Sequence, residues 1–76
     1  MLNPNSRIAA LGRIILDVMY RTQRPLEMVD IIRLAKRNGC TPADGRLAVH
    51  KLVEHQRIEF TSNTTAIEVQ LVEVSE

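Results

Sequence analysis

The chain has 76 residues, of which 45% are hydrophobic and 25% charged, and its formal net charge is +1. That length predicts one small domain with a limited core, and the hydrophobic content argues against general disorder. The single cysteine, Cys40, excludes an internal disulfide, and the apolar runs are too short to span a bilayer. We therefore expect a cytoplasmic protein with no membrane partner, whose core is aliphatic because Tyr20 and Phe60 are the only aromatic residues.

The charges are unevenly distributed along the chain. The residues up to Arg57 contain all ten Lys and Arg and five acids, which gives a formal charge of +5, whereas the residues from Ile58 onward contain four acids and no base, which gives −4. A basic body followed by an acidic tail is compatible with a polyanionic partner and equally with an ordinary solvated surface.

The first predicted helix covers residues 6–21 and is preceded by turn-forming residues, of which Asn5 or Ser6 would act as the N-cap. At 100° per residue, one of its faces carries Ile8, Leu11, Ile14, Ile15, Val18 and Met19. A second apolar stripe beside this face consists of Ala9, Leu16 and Tyr20. The second stripe indicates either complete burial in a small fold or a homodimer interface formed by Ala9, Leu16 and Tyr20.

The second predicted helix covers residues 26–38, because Pro25 disfavours a helical conformation at Arg24 and Asn38-Gly39 is a typical helix end. Its core-facing residues would be Met28, Ile31, Ile32 and Ala35, with Arg33 and Arg37 on the opposite face. A third helix follows at once over residues 42–55. Thr41 is a favourable N-cap, Pro42 suits the first helical position, and Asp44 stands where the acid of a capping box stands.

The core face of the third helix would consist of Ala48, Val49, Leu52 and Val53, and Gly45 near this face would allow another helix to approach closely. After it the period of the apolar residues changes from helical to alternating, with Ile58 and Phe60 in one run and Ile67, Val69 and Leu71 in the next. Turn residues at 62–64 separate the two runs. This pattern predicts a β-hairpin over residues 57–74, and the order of elements allows a third short strand near residues 25–28.

The stretch "RLAKRNGCTPADGRLAVHKLVEHQRIEF" resembles the winged helix-turn-helix family of DNA-binding domains. It has a helix, a Gly-containing turn, Thr-Pro at the start of the recognition helix, and apolar residues at Val49, Leu52, Val53 and Ile58. Gln56 replaces a usual Gly, and Glu59, Glu68 and Glu73 replace the usual basic residues of the wing. The resemblance implies a mainly α fold with a small β-hairpin (α+β), namely a three-helix winged helix-turn-helix.

The resemblance also implies a DNA-binding surface centred on the recognition helix at residues 42–55. Arg46 would contact a guanine, and Leu47 or Ala43 a thymine methyl group, with His50 also directed outward. Phosphates would be bound by Arg33, Arg37, Lys51 and Thr41, and Asn63 and Thr64 would reach a backbone or minor groove. The implied function is a small transcriptional regulator, or an accessory regulator of phage or plasmid type, whose partner is double-stranded DNA.

The alternative function is that of a winged-helix adaptor or inhibitor that binds another protein, because an exposed Leu47 beside His50 also suits a protein contact. An enzyme is not expected. His50 and His55 are five residues apart and diverge on one helix, no second cysteine accompanies Cys40, and no phosphate-binding loop is present. We therefore expect no cofactor and no metal.

Overall fold

The structure, a computed structural model, describes residues 4–61 and 67–72, with side-chain exposure from residue 6 onward. The elements in chain order are α1 (Pro4–Thr22), β1 (Leu26–Glu27), α2 (Met28–Arg37), α3 (Pro42–Glu54), β2 (Ile58–Phe60) and β3 (Glu68–Leu71). This part of the chain is mainly helical and carries a small antiparallel sheet. The predicted α+β class is therefore confirmed.

The three strands are arranged in the order β1-β3-β2, so the strand that comes last along the described chain is the central one. Leu26 pairs with Val69 on one side of β3, and Phe60 pairs with Val69 on the other. The third short strand near residues 25–28 is thus confirmed. The turn of the predicted hairpin, residues 62–66, and its end at 73–74 lie outside the described residues.

The predicted start of the second helix at residue 26 is wrong by two residues. Leu26 and Glu27 pair with β3 and so cannot take helical hydrogen bonds. Glu27 then acts as the N-cap of α2, with its backbone N–H donating to the Asp30 carboxylate at 3.2 Å. The other helix limits agree with the prediction to within two residues.

The core is aliphatic and is formed between the three helices and the sheet, where its residues are buried to 9% exposure or less. These residues are Ile8, Leu11, Ile15, Leu16, Met19, Ile31, Ala35, Ala48, Val49, Ile58 and Val69. One expectation is corrected. Leu16 belongs to this core, so the second stripe on α1 leaves only Ala9 and Tyr20 exposed. Phe60, the last residue of β2, pairs with the buried Val69 but is itself 47% exposed.

Two glycines determine how α2 meets α3. Gly39 has φ of +73° in the turn, a conformation that favours glycine, and the next residue's N–H, that of Cys40, donates to the Ala35 carbonyl at 2.8 Å. Gly45 is buried against α2, and a Cβ added there would stand 3.3 Å from the Cβ of Ala35. The predicted close approach at Gly45 is therefore present, and it brings α3 directly against α2.

Among the described helices, none combines the length and the apolar character needed to cross a membrane.

Candidate functional site

The start of α3 is held by a reciprocal capping box. The Thr41 hydroxyl accepts from the Asp44 backbone N–H at 3.1 Å, and the Asp44 carboxylate accepts from the Thr41 backbone N–H at 2.9 Å. The backbone N–H of Thr41 is the main cause that holds the pKa of Asp44 below its usual value. Desolvation opposes this effect in part, and the Thr41 hydroxyl and the Arg7 charge add to it. The helix that carries half of the predicted DNA-binding residues thus has a fixed first turn.

Asp44 also contacts a basic residue that sequence reasoning missed. The Arg7 guanidinium of α1 lies 3.4 Å from the Asp44 carboxylate, and the Arg7 side chain remains 46% exposed. No local pattern connects residues 37 positions apart, so only the packing of α1 on α3 reveals this pair. Its effect is to compensate the negative charge at the front of α3.

The exposed face of α3 contains six of the seven residues predicted to point outward from this helix, because Asp44 is partly buried by its contacts with Thr41 and Arg7. Ala43, Arg46, Leu47, His50 and Lys51 are exposed, and Glu54 is exposed beside them. At 100° per residue, Leu47 and His50 lie near the middle of this face, whereas Arg46 and Lys51 lie at its two opposite edges. Glu54 lies between Leu47 and His50 by the same count, so the centre of the face carries apolar, weakly polar and acidic residues, and each margin carries one cation.

Arg33 and Arg37 do not join this face. They line a cleft with Asp30, Leu34, Val18 and Leu26, which belong to α2, α1 and β1. Both arginines are exposed, but they flank the side of α2 that meets α1. These two predicted phosphate ligands therefore share a cleft with residues of α1 and β1, and no described residue of α3 lines it.

A second surface feature lies between α1 and α3. It is a groove of about 230 Å³. Its apolar floor is formed by Ile8, Ala9, Gly12, Leu16, Ala48 and Leu52. Its rim carries Arg13, Lys51, His55 and Arg57, of which only Lys51 belonged to the predicted site. Arg13 lies four residues after Ala9 and three before Leu16, and therefore beside the second apolar stripe. This position was the one sequence feature that could have indicated Arg13 as a site residue.

The two described strands of the predicted wing, β2 and β3, contain no basic residue, and Arg57 directly precedes β2. The Gln70 amide donates to the Glu59 carboxylate at 2.8 Å, and the Thr61 hydroxyl donates to the Glu68 carboxylate at 3.0 Å. These bonds occupy the two carboxylates on neighbouring strands. The predicted site residues Asn63 and Thr64 lie outside the described residues.

Neither histidine nor Cys40 contributes to a cluster of metal ligands. His50 and His55 are both exposed, and Cys40 is partly buried against the core. Within residues 4–61 and 67–72, no three His, Cys, Asp or Glu residues are grouped so that they could hold a metal ion.

Comparisons of this chain with protein-family models, with curated proteins and with solved structures gave no match.

Proposed function

We propose that this chain is a winged helix-turn-helix domain that binds double-stranded DNA through the exposed face of α3. The observation that carries the proposal is the α2–turn–α3 unit. Gly39 reverses the chain, Gly45 brings the two helices into contact, and the opposite side of α3 is left exposed. An exposed second helix in such a unit is the element that enters the major groove in helix-turn-helix proteins.

The charge at the front of α3 supports the same function. A bare carboxylate at Asp44 would repel a phosphate, but this one accepts a hydrogen bond from the Thr41 N–H and pairs with Arg7. Arg46 and Lys51 stand at the margins of the exposed face, where the walls of a groove would approach. Glu54, in the last turn, is then the one acid of that face without a partner among the described residues.

In this proposal Arg46 donates two hydrogen bonds to the edge of a guanine, and Leu47 or Ala43 contacts a thymine methyl group. Lys51 and Thr41 bind phosphates, and His50 lies over the centre of the groove. The acidic wing adds no cation, so α3 and Arg7 supply most of the electrostatic attraction. The protein would regulate by occupying its site, as a transcriptional regulator or a phage- or plasmid-type accessory factor.

The test is a titration of a labelled duplex, followed by fluorescence anisotropy, at several salt concentrations between about 50 and 200 mM. Arg46 and Lys51 are the two cations of α3, and Arg7 is paired with Asp44, so the slope of log Kobs against log[salt] should be shallow, about −2. A double variant, Arg46→Gln with Lys51→Gln, should lose most of this binding. The matched control, Arg33→Gln with Arg37→Gln, removes the same charge from the cleft between α2, α1 and β1. It should keep the larger part of the DNA affinity. Absence of binding by the wild type at 50 mM salt would overturn the proposal.

A second candidate function is favoured by one residue. Leu47 is 46% exposed near the centre of the α3 face, where an apolar side chain suits a protein surface as well as a thymine methyl group. The alternative is therefore a winged-helix adaptor or inhibitor whose α3 binds another protein.

A further inference from the structure

The groove between α1 and α3 is shaped to receive an apolar side of a partner. Two of its floor positions, Gly12 and Ala9, carry the smallest side chains of α1, and Ala48 faces them from α3. Ile8 and Leu16, at its two ends along α1, are eight residues apart, so the floor extends over about 12 Å of helix. That length matches two turns of a packed helix, and the small residues leave room for its side chains.

The rim of this groove is cationic. Arg13, Lys51 and Arg57 surround it, and within the described residues none of the three takes part in an ion pair. No carboxylate occurs among the described residues that line the groove. A partner that is complementary to both the apolar floor and the cationic rim must therefore combine an apolar face with acidic residues beside it.

The charge of the rim distinguishes between three occupants of the groove, namely a second copy of this chain, the DNA backbone and an acidic helix. A second copy bound through the same groove in a two-fold dimer would bring two cationic rims together with no carboxylate among their described lining residues, and this like-charge contact is unfavourable. The DNA backbone matches the rim but offers no apolar surface for Gly12 and Leu52 beneath it. An acidic amphipathic helix satisfies both requirements.

We propose that the groove between α1 and α3 binds a short acidic amphipathic helix of another protein, with the apolar face of that helix on Ala9, Gly12 and Leu52 and its carboxylates at Arg13 and Arg57. This surface is separate from the centre of the α3 face. Through this groove a DNA-binding domain could recruit a second protein. Binding of the acidic helix itself requires no bound DNA.

The experiment selects binders from a displayed library of random peptides of about 14 residues, which span about 21 Å as helices. The wild-type chain is the target, and selection is repeated on a double variant, Arg13→Glu with Arg57→Glu. Wild type should enrich peptides with apolar residues at helical spacing and Glu or Asp beside them. Their affinity, measured by anisotropy, should fall about tenfold or more in the double variant.

The matched control is Arg24→Glu with Arg33→Glu, which makes the same change in charge at two exposed positions outside the groove and should leave peptide affinity within about twofold. Ala9→Trp, which adds a large side chain at the groove, should abolish peptide binding while the helical circular dichroism is retained. Enrichment of neutral or basic peptides, or equal affinity in the Arg13/Arg57 variant, would overturn the proposal. Displacement of the bound peptides by duplex DNA from the Arg46→Gln, Lys51→Gln variant, whose α3 face has lost its DNA binding, would also overturn it, in favour of a phosphate site at Arg13 and Arg57.

A self-association that depends on Arg13 and Arg57 would assign the groove to a second copy and overturn the proposal as well. Failure of the peptides would leave the DNA titration unaffected, because Arg13 and Arg57 are not on the exposed face of α3. The two proposals can therefore fail separately.

Discussion

Arg7 and Asp44 join the first turn of α1 to the first turn of α3, with 3.4 Å between the guanidinium nitrogen and the carboxylate oxygen. Asp44 accepts at the same time from the Thr41 backbone N–H, so one carboxylate serves as both helix cap and interhelical partner. The front of α3 is consequently fixed to α1, and its one acidic residue there is compensated.

The lowered pKa of Asp44 gives a pH dependence with a definite sign. The unfolded chain binds a proton at Asp44 near the ordinary value of about 4, whereas the folded chain binds it only at lower pH. The stabilisation is complete above that ordinary value and is lost as pH falls through the folded pKa. The difference in unfolding free energy between wild type and Asp44→Asn should thus be constant from pH 5 to 8 and shrink below pH 4.

Urea unfolding followed by circular dichroism at several pH values measures this difference. Arg7→Gln is the control, and it should reduce the pH dependence only in part, because Thr41 contributes more than Arg7. A difference that stays the same down to pH 3 would contradict the assignment.

Arg46 and Lys51 should differ in how they affect DNA binding. Arg46 lies in the second turn of α3, near base edges, so Arg46→Ala should cost roughly 1–3 kcal/mol on the preferred sequence and flatten the sequence preference. Lys51 is at the opposite margin of the face, so Lys51→Ala should weaken all sequences alike and reduce the salt slope by about one. Anisotropy on specific and random duplexes separates the two effects. If neither variant changes DNA affinity but Leu47→Asp abolishes capture of a protein partner, α3 is a protein-binding surface.

Two helix glycines should respond differently to substitution by alanine. A Cβ at Gly12 would lie 3.6 Å from the Leu52 side chain, an ordinary contact, so Gly12→Ala should stabilise the fold by roughly 0.5–1 kcal/mol through helix propensity. A Cβ at Gly45 would lie 3.3 Å from that of Ala35, which offsets this gain. Gly45→Val should overpack the interface and cost roughly 1–3 kcal/mol. Chemical denaturation of the three variants tests the order, and a Gly45→Ala gain equal to that of Gly12→Ala would refute it.

Gln56 occupies the left-handed region with φ of +58°, at the position where the winged-helix pattern usually has glycine. Gln56→Gly should relieve this conformation and raise the unfolding free energy by up to about 1 kcal/mol. Gln23, with φ of +53°, provides a comparison, because its side-chain amide donates to the Tyr20 carbonyl at 2.7 Å. Gln23→Gly loses that bond and should gain less. Thermal unfolding of both variants would show equal gains if the hydrogen bond were unimportant.

A homodimer through α1 remains a prediction that competes with the acidic helix, because Ala9 and Leu16 also line the groove, and the structure changes its test. Leu16→Glu would introduce a charge into the core and unfold the domain, whereas Tyr20 is 52% exposed and can be altered safely. Tyr20→Glu should give a folded monomer, and Tyr20→Phe should keep the dimer. Sedimentation velocity distinguishes these states, and a wild type that is monomeric at high concentration would make the prediction wrong.

Features fixed by local chemistry were predictable from sequence. The Thr41–Asp44 capping box and the stop at Gly39 depend on residues within four positions of each other. The pairing of Leu26 with Val69 was allowed by the element order, but the loss of Leu26 and Glu27 from α2 depends on a strand more than 40 residues away.

The parts of the site that escaped prediction depend on how the helices pack. The helical periodicity of α2 predicts that Arg33 and Arg37 face outward, but it does not predict that they lie beside α1. No sequence feature near Arg7 indicates its contact with Asp44. The groove needs α1 and α3 to be placed side by side before Arg13 and Arg57 share a rim. Sequence reasoning therefore identified the exposed face of one helix, but it could not identify surfaces shared by two.

The central position of β3 has a consequence for synthesis on the ribosome. β1 and β2 do not pair with each other, and both form their backbone hydrogen bonds with residues 68–71. Those bonds can form only after that segment has left the exit tunnel. Val69, a buried residue opposite both Leu26 and Phe60, arrives with it. The nascent helices can gather earlier, but the domain closes only when its last described strand is inserted between two strands already made, so folding should finish late and in one step.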